Sequence, residues 1–259
     1  MFYHHQDMIG NLLILESAPQ RIISLVPSQT ELICELGAEE KLIGRTKFCI
    51  HPKQLKVTKV GGTKLVNYHL IDELQPDLII CNKEENNKEI VESLNMKYPV
   101  WVSDIETLEQ NYIMIQEVAK LCDKEVQGVE LIQNMKKGFE SLDLKPNKTC
   151  LYLIWKNPYM GVGNKSFIHE MIHKMGLSNV LDNTSRYPEL TENEIKTLNP
   201  DLVFLSSEPY PFKENHMNEL SQLLPNSKIM LVNGEFFSWY GSHLVNSPQY
   251  FKQLINQIN

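Results

Sequence analysis

Arginine is scarce in this chain. Of 25 lysines and arginines in 259 residues only three are arginines (Arg21, Arg45 and Arg186), and 32 carboxylates leave a net charge of −7. A protein that reads nucleic-acid backbones carries a basic stripe, so nucleic acid is excluded as a partner. Long apolar runs are missing too. Runs such as Leu78–Cys81 and Ile229–Val232 fall far short of the ~20 residues of a membrane-spanning helix, and no membrane insertion is expected. The opening Met1-Phe-Tyr-His-His-Gln-Asp has neither the basic nor the apolar region of a secretory signal. As written, the chain is expected in the cytoplasm, or in the periplasm or at the surface if a leader precedes it. There is no C-x-x-C, and five cysteines (34, 49, 81, 122 and 150) are an odd number in mostly apolar surroundings. That suits buried thiols better than a disulfide framework.

What is present is an ordinary globular composition, 42% hydrophobic and 22% charged, in a chain long enough for two modest domains. After a hairpin expected over Met8–Glu16, Arg21–Val26 reads as a buried strand stopped by Pro27. Ser28-Gln-Thr-Glu31 has the form of a capping box opening a helix that ends at Gly37. Short strands then alternate with helices up to Val102, which predicts a mostly parallel, doubly wound sheet. Leu74-Gln-Pro-Asp-Leu-Ile-Ile80 returns as Leu198-Asn-Pro-Asp-Leu-Val-Phe204, offset by 198 − 74 = 124 residues. The order of elements around it repeats as well, so two similar lobes are expected. Between them, Leu108, Tyr112, Ile115, Ala119, Cys122, Val126, Val129, Ile132, Met135 and Phe139 follow helical spacing. They predict a helix of 34 residues, on the order of 50 Å long, which Gly128 could divide into two. The expected organisation is α/β: an N-terminal lobe over residues 1–104, a backbone helix over 105–145 and a C-terminal lobe over 146–259.

These motifs carry a resemblance. R-I-I-S-L-x-P-S-x-T-E at Arg21–Glu31, the two L-x-P-D segments and the helix between them resemble the helical-backbone, class III substrate-binding proteins of ABC importers, most closely the vitamin B12-binding type. The resemblance runs from about Arg21 to the C-terminus. It implies two Rossmann-like lobes joined by a rigid helix, a ligand held in the cleft between them and an ABC permease as partner. It also places a docking glutamate on each lobe, and the matching positions here hold His69 and Asn193, the latter flanked by Glu192 and Glu194.

In open α/β sheets ligands bind beyond the carboxyl ends of the strands. The candidate contacts in the first lobe are therefore Ser28, Gln29, Arg45, Phe48, His51 and Lys83. In the second lobe they are Trp155, Tyr159, Arg186, Tyr187, Tyr210, Trp239 and Tyr240. The second set is dense in rings with polar tips, which suits a large, partly planar ligand, although the same rings could plug the sheet edge. Ser28 could equally be a helix cap, and Arg45 and Arg186 could pair with Glu31 and Glu189. Cys49-Ile-His51 brings a thiol near an imidazole, a weak pattern for metal ligation or nucleophilic chemistry.

A competing reading is enzymatic. His169-Glu-Met-Ile-His173 matches the H-E-x-x-H motif of zinc hydrolases, with Glu170 as base and Glu194 at a plausible distance for a third ligand. Against it, Thr191-Glu-Asn-Glu194 is itself a capping box, and the histidines flank a packing face. The expectation is a monomeric, non-catalytic binding protein for a small-molecule metal chelate. The ligand expected is cobalamin or another corrinoid, with a ferric siderophore second and a cytosolic carrier or sensor as a third reading. No cofactor and no bare metal is required.

Overall fold

A computed structural model describes residues 3–258. The chain forms two compact units. The first contains residues up to Ile105, Glu109–Asn134 and Tyr240–His243; the second contains Glu106–Leu108, Met135–Trp239 and the chain from Leu244 onward. Residues 240–243 thus belong to the first unit, whereas their neighbours in sequence belong to the second.

The first unit opens with an antiparallel hairpin of β1 (Tyr3–Gln6) and β2 (Leu12–Leu15), followed by β3 (Ile22–Ser24), α1 (Pro27–Glu35), β4 (Leu42–Arg45), β5 (Thr58–Lys59), α2 (Tyr68–Leu74), β6 (Leu78–Asn82), α3 (Lys88–Asn95) and β7 (Val100–Ser103). The hairpin begins earlier than expected because Asp7 closes the turn, its Oδ1 accepting from the backbone N–H groups of Ile9 (3.1 Å) and Asn11 (2.7 Å). Strands β3 to β7 make one wholly parallel sheet in the order β5-β4-β3-β6-β7. Every residue of β6 and β7 is buried, which is why they read as continuous apolar runs without alternation.

The single long helix is not what forms. α4 (Leu108–Leu121) and α5 (Glu125–Glu140) are separate, and the break is at Cys122–Lys124, where Asp123 takes φ +55°. Gly128 lies inside α5. A Cβ there would stand 2.6 Å from Ala119 Cβ, so glycine is needed for the close approach of α5 to α4. Val126 and Val129, assigned to the buried stripe by spacing, are exposed, because the turn at Asp123 resets the helical phase.

The second unit contains β8 (Thr149–Trp155), β9 (Tyr159–Gly161), α6 (Phe167–Lys174), β10 (Ser178–Asn179), β11 (Glu189–Leu190), α7 (Glu192–Leu198), β12 (Leu202–Ser206), α8 (Glu214–Leu223), β13 (Lys228–Val232), α9 (Glu235–Ser238) and α10 (Ser247–Ile258). Its sheet runs β11-β9-β8-β12-β13, with β10 on β8; β8, β10, β12 and β13 are parallel and β9 and β11 antiparallel.

The repeated L-x-P-D segment has one structural meaning in both units. Gln75 and Asn199 end α2 and α7 in the left-handed conformation, at φ 46° and 41°. Proline then prevents continuation. The aspartate fastens the start of the neighbouring strand. Asp77 accepts from the backbone N–H groups of Gln20 (2.7 Å) and Arg21 (2.8 Å), and Asp201 from the backbone N–H (2.7 Å) and hydroxyl (2.8 Å) of Thr149.

Candidate ligand-binding surface

In the first unit the loops after β4 and β5 form the candidate surface. Arg45 draws its loop together, since its guanidinium donates to the Cys49 carbonyl and to the Leu55 carbonyl at 3.4 Å. The Glu31 pairing considered from sequence is absent, because Glu31 accepts from His243 Nδ1 at 3.2 and 3.1 Å. Lys47 N–H donates to the Gly61 carbonyl (2.7 Å) and Gly62 N–H to the Leu65 carbonyl (2.7 Å), fixing the second loop beside the first. Phe48, Ile50, Leu65 and Tyr68 are exposed as a result, with Leu65 at 79%. They are the exposed large apolar side chains of residues 46–68, three of them on these loops and Tyr68 at the first position of α2. Of these four, sequence reasoning found only Phe48. Ile50 and Leu65 carried a usable signal, since they stand on or beside candidate loops and belong to no helical or strand periodicity, whereas Tyr68 opens α2.

Ser28 and Gln29 turn inward. α1 starts at Pro27 with Val26 as its N-cap and no side-chain cap, so the expected capping box does not form and Ser28 is a buried helix residue. Gln29 is fully buried and donates to the Ser103 hydroxyl, tying α1 to β7. Lys83 is ion-paired with Asp104. His51 is half-buried, its ring centroid 5.9 Å from that of His243. Cys49 lies beneath Thr30 and Thr46, its Sγ 3.1 Å from each hydroxyl, and burial pushes its thiol pKa up, which removes the nucleophile suggested by C-x-H. A cavity of about 340 Å³ in this unit is lined by Glu31, Glu35, Glu39, Lys56 and four less polar residues, and its carboxylates suit an apolar chelate poorly.

In the second unit most of the rings pack on their own structure. Trp239 is 8% exposed and donates its indole N–H to Glu208 Oε1 at 2.9 Å, an acceptor shared with the Ser238 hydroxyl at 2.7 Å. Tyr210 stacks edgewise on Phe212 (4.8 Å) and His216 (5.4 Å). Tyr159 is half-buried against the core, and burial raises its phenol pKa. Tyr240 is buried, in the segment that belongs to the first unit. Trp155 alone among the five rings stays open, at 40%, with its edge on Tyr210 at 5.6 Å. Arg186 takes φ +63° and donates to the Lys165 carbonyl (3.0 Å) and Glu106 (3.4 Å), with Tyr187 6.0 Å from its guanidinium carbon; the Glu189 pairing is replaced by Glu106. Glu208, which holds two of the loop's donors, was not singled out from sequence.

The hydrolase reading loses Glu194 as its third ligand. Glu194 is the reciprocal partner of Thr191 in the capping box of α7, accepting from its backbone N–H and hydroxyl, both at 2.7 Å. Glu170 pairs with Lys174 along α6 at 3.5 Å. At the two docking positions, His69 pairs with Glu73 at 3.4 Å and Asn193 is exposed on α7. No described helix is long and apolar enough to cross a membrane.

Known proteins share this architecture. A vitamin B12-binding protein of Vibrio parahaemolyticus is 27% identical over 204 residues, covering 76% of this chain and 74% of that one. The haem-binding protein HutB of Vibrio cholerae superposes with a TM-score of 0.78 at 20% identity, covering 91% of this chain and 98% of that one. A protein of an ABC-type Fe3+-hydroxamate transport system from Saccharomonospora viridis gives 0.76 at 16% identity, over 97% and 98%. At such identities the two structures establish the fold alone. The periplasmic binding protein family model matches residues 22–225, most of both sheets, and the chain belongs to that family.

Proposed function

We propose that this protein is a non-catalytic substrate-binding protein that delivers a large metal chelate, a corrinoid first of all, to an ABC-type importer outside the cytoplasmic membrane. The observation that carries the reading is the exposed apolar group Phe48, Ile50, Leu65 and Tyr68 on or beside loops at the carboxyl ends of a parallel sheet. Such a surface holds a guest through apolar area and ring contact. The vitamin B12-binding relative supports the ligand class, and the Saccharomonospora viridis protein of an ABC-type Fe3+-hydroxamate transport system supports the importer reading. Family membership favours the periplasm or cell surface over the cytoplasmic location expected from the sequence as written.

Charge favours a corrinoid over a haem or an anionic siderophore. Arg45 donates from both terminal nitrogens to carbonyls, Arg186 donates to a carbonyl and to Glu106, Lys83 pairs with Asp104, and Lys47 lies over the Phe48 ring at 5.0 Å. A guest rimmed by neutral amides fits this arrangement better than one rimmed by carboxylates, which calls for uncommitted bidentate arginines. For docking, Glu73 on α2 and Glu192 on α7 are the exposed carboxylates nearest the unmatched positions, since Glu194 is committed to its cap.

The test is fluorescence titration with cyanocobalamin, haemin and a ferric hydroxamate. Trp155 is the exposed indole, whereas Trp101 and Trp239 are buried. Saturable quenching by cyanocobalamin alone, reduced in Trp155→Phe, is expected. Saturation by the hydroxamate with no response to cyanocobalamin would replace the corrinoid with the siderophore.

A further inference from the structure

A separate polar cluster lies in the second unit, on α6 and the loop after β10, apart from the loops that follow β8, β12 and β13. His169 and His173 are one helical turn apart, so their rings share a face. The ring centroids are 4.5 Å apart at an interplanar angle of 73°. Both imidazoles direct Nε2 at Asp182 Oδ1, at 3.4 and 3.1 Å. The backbone holds Asp182 in place: its N–H donates to the Asn179 carbonyl (3.2 Å), and its own carbonyl accepts from the Asn164 amide (2.6 Å). The three potential ligand atoms lie within 4.8 Å of one another. Ligand atoms about 2.0–2.2 Å from a tetrahedral zinc ion stand roughly 3.3–3.5 Å apart, so only a small adjustment separates this cluster from a coordination site.

We infer that His169, His173 and Asp182 form a site for a divalent transition ion of the zinc class, with His169 Nε2, His173 Nε2 and Asp182 Oδ1 as ligands and water completing the tetrahedron. Two imidazoles and one carboxylate on a half-open surface match the borderline-soft preference of such ions and leave a position open. Glu170, at the base position of the H-E-x-x-H motif, pairs with Lys174 at 3.5 Å.

One neighbour limits its strength. The Asn179 amide is oriented on both sides, Nδ2 donating to the Val162 carbonyl (2.8 Å) and Oδ1 accepting from Leu181 N–H (3.0 Å). Its Nδ2 therefore faces His169 Nδ1, at 3.1 Å, as a donor. In the metal-free protein this holds the tautomer with the proton on Nε2, directed at Asp182. An ion on Nε2 moves that proton to Nδ1 and sets two donors face to face, a conflict worth roughly tenfold to a hundredfold in affinity. Metal–ligand bonding exceeds such a factor by several powers of ten. The ion still binds, at a micromolar level short of the tightest structural zinc sites.

The experiment is calorimetric titration of the chelator-stripped full chain with zinc chloride, beside melting temperatures with and without zinc. The expected result is one ion per chain, a zinc-dependent rise in Tm, at least a 30-fold weakening in both His173→Ala and Asp182→Ala, and no change in His69→Ala. His173 and Asp182 side chains are 42% and 54% exposed, so the metal-free Tm of both variants should match the parent and show that they fold. Asp182→Asn, which keeps the shape and removes the charge, is a second route to the same loss. Absence of stoichiometric zinc binding by the parent, or parental affinity in either alanine variant, overturns the site. The cyanocobalamin titration is a separate readout, so failure of the chelate proposal leaves this result standing, and the reverse.

Discussion

The two units repeat one frame and use their loops in opposite ways. Both fasten a strand with the aspartate of L-x-P-D and both place loops beyond the carboxyl ends of parallel strands. The first, with few aromatics in those loops, leaves Phe48, Ile50, Leu65 and Tyr68 exposed. The second, crowded with rings, encloses most of them: Trp239 on Glu208, Tyr210 among Phe212 and His216, Tyr159 on the core. Ring density in a loop thus does not measure ring exposure. A ring with a polar tip can be buried when its loop supplies a partner, and Glu208 and His216 do so here.

The largest effect expected from this contrast concerns stability. Trp239→Ala empties a buried, hydrogen-bonded position and should destabilise the protein by about 3–5 kcal/mol. Phe48→Ala, on an exposed ring, should stay within about 0.5 kcal/mol. Urea melts of the two variants measure the difference. A Trp239→Ala protein as stable as its parent, but impaired in ligand binding, would return Trp239 to the contact surface and dissolve the contrast.

The second effect has the opposite distribution. Burying an exposed Phe or Leu under a guest gains roughly 1.5–3 kcal/mol, so Phe48→Ala and Leu65→Ala should each weaken cyanocobalamin binding about 10-fold to 100-fold. Tyr210→Ala, whose ring is already covered by its neighbours, should change affinity less than Trp155→Ala. Equal losses for Tyr210 and Trp155 would mean that the ring cluster opens to receive the ligand.

The difference between the units also explains what could be read from sequence. The architecture was legible because it rests on local signals: proline and left-handed residues ending α2 and α7, continuous apolar runs in strands buried on both faces, and a motif repeated 124 residues apart (198 − 74). The site was less legible because it depends on which side chains find partners far along the chain. Ser28 has the spacing of a cap, yet the N-cap is Val26, two residues earlier, and Glu31 turns to His243, 212 positions away. Arg45 ends β4 and Arg186 lies in the loop before β11, and both donate to nearby carbonyls, Arg186 to Glu106 as well. Spacing likewise located the helical region after Thr107 and misplaced its break, since nothing periodic announces the left-handed Asp123.

A smaller effect tests whether the repeated aspartates are equivalent. The backbone N–H and hydroxyl of Thr149 hold the Asp201 carboxyl below the usual carboxylate range. A depressed folded-state pKa stabilises fully above the unfolded value and loses that contribution as pH falls through the folded value. Asp201→Ala and Asp77→Ala should each cost about 1–2 kcal/mol at pH 7, the value of charge-assisted hydrogen bonds discounted for a solvent-facing site. For Asp201→Ala the deficit relative to the parent should shrink below about pH 4, where the parent loses the same interaction. Urea melts at pH 7 and pH 3 compare the two variants, and a deficit confined to one of them would show that the motif fastens only that unit.

The last effect is chemical and concerns the thiols, four in the first unit and Cys150 in the second. Cys49, Cys81, Cys122 and Cys150 are buried, and only Cys34 is partly accessible. Burial, with Glu39 and Glu31 adding to it, pushes the Cys34 thiol up from 9.0 to about 12. Since the thiolate is the reactive form, Cys34 should react about a thousandfold more slowly at pH 8 than a thiol of ordinary pKa, with a rate that keeps climbing as pH rises toward 12. Under native conditions an iodoacetamide time course followed by mass spectrometry should show one slow modification at Cys34, and in urea all five sites should react quickly. Modification of Cys150 before Cys34 in the absence of denaturant would show that the second unit opens more readily than the first. The packed rings of its loops would then be mobile, and Trp239 and Tyr210 would become candidates for ligand contact again.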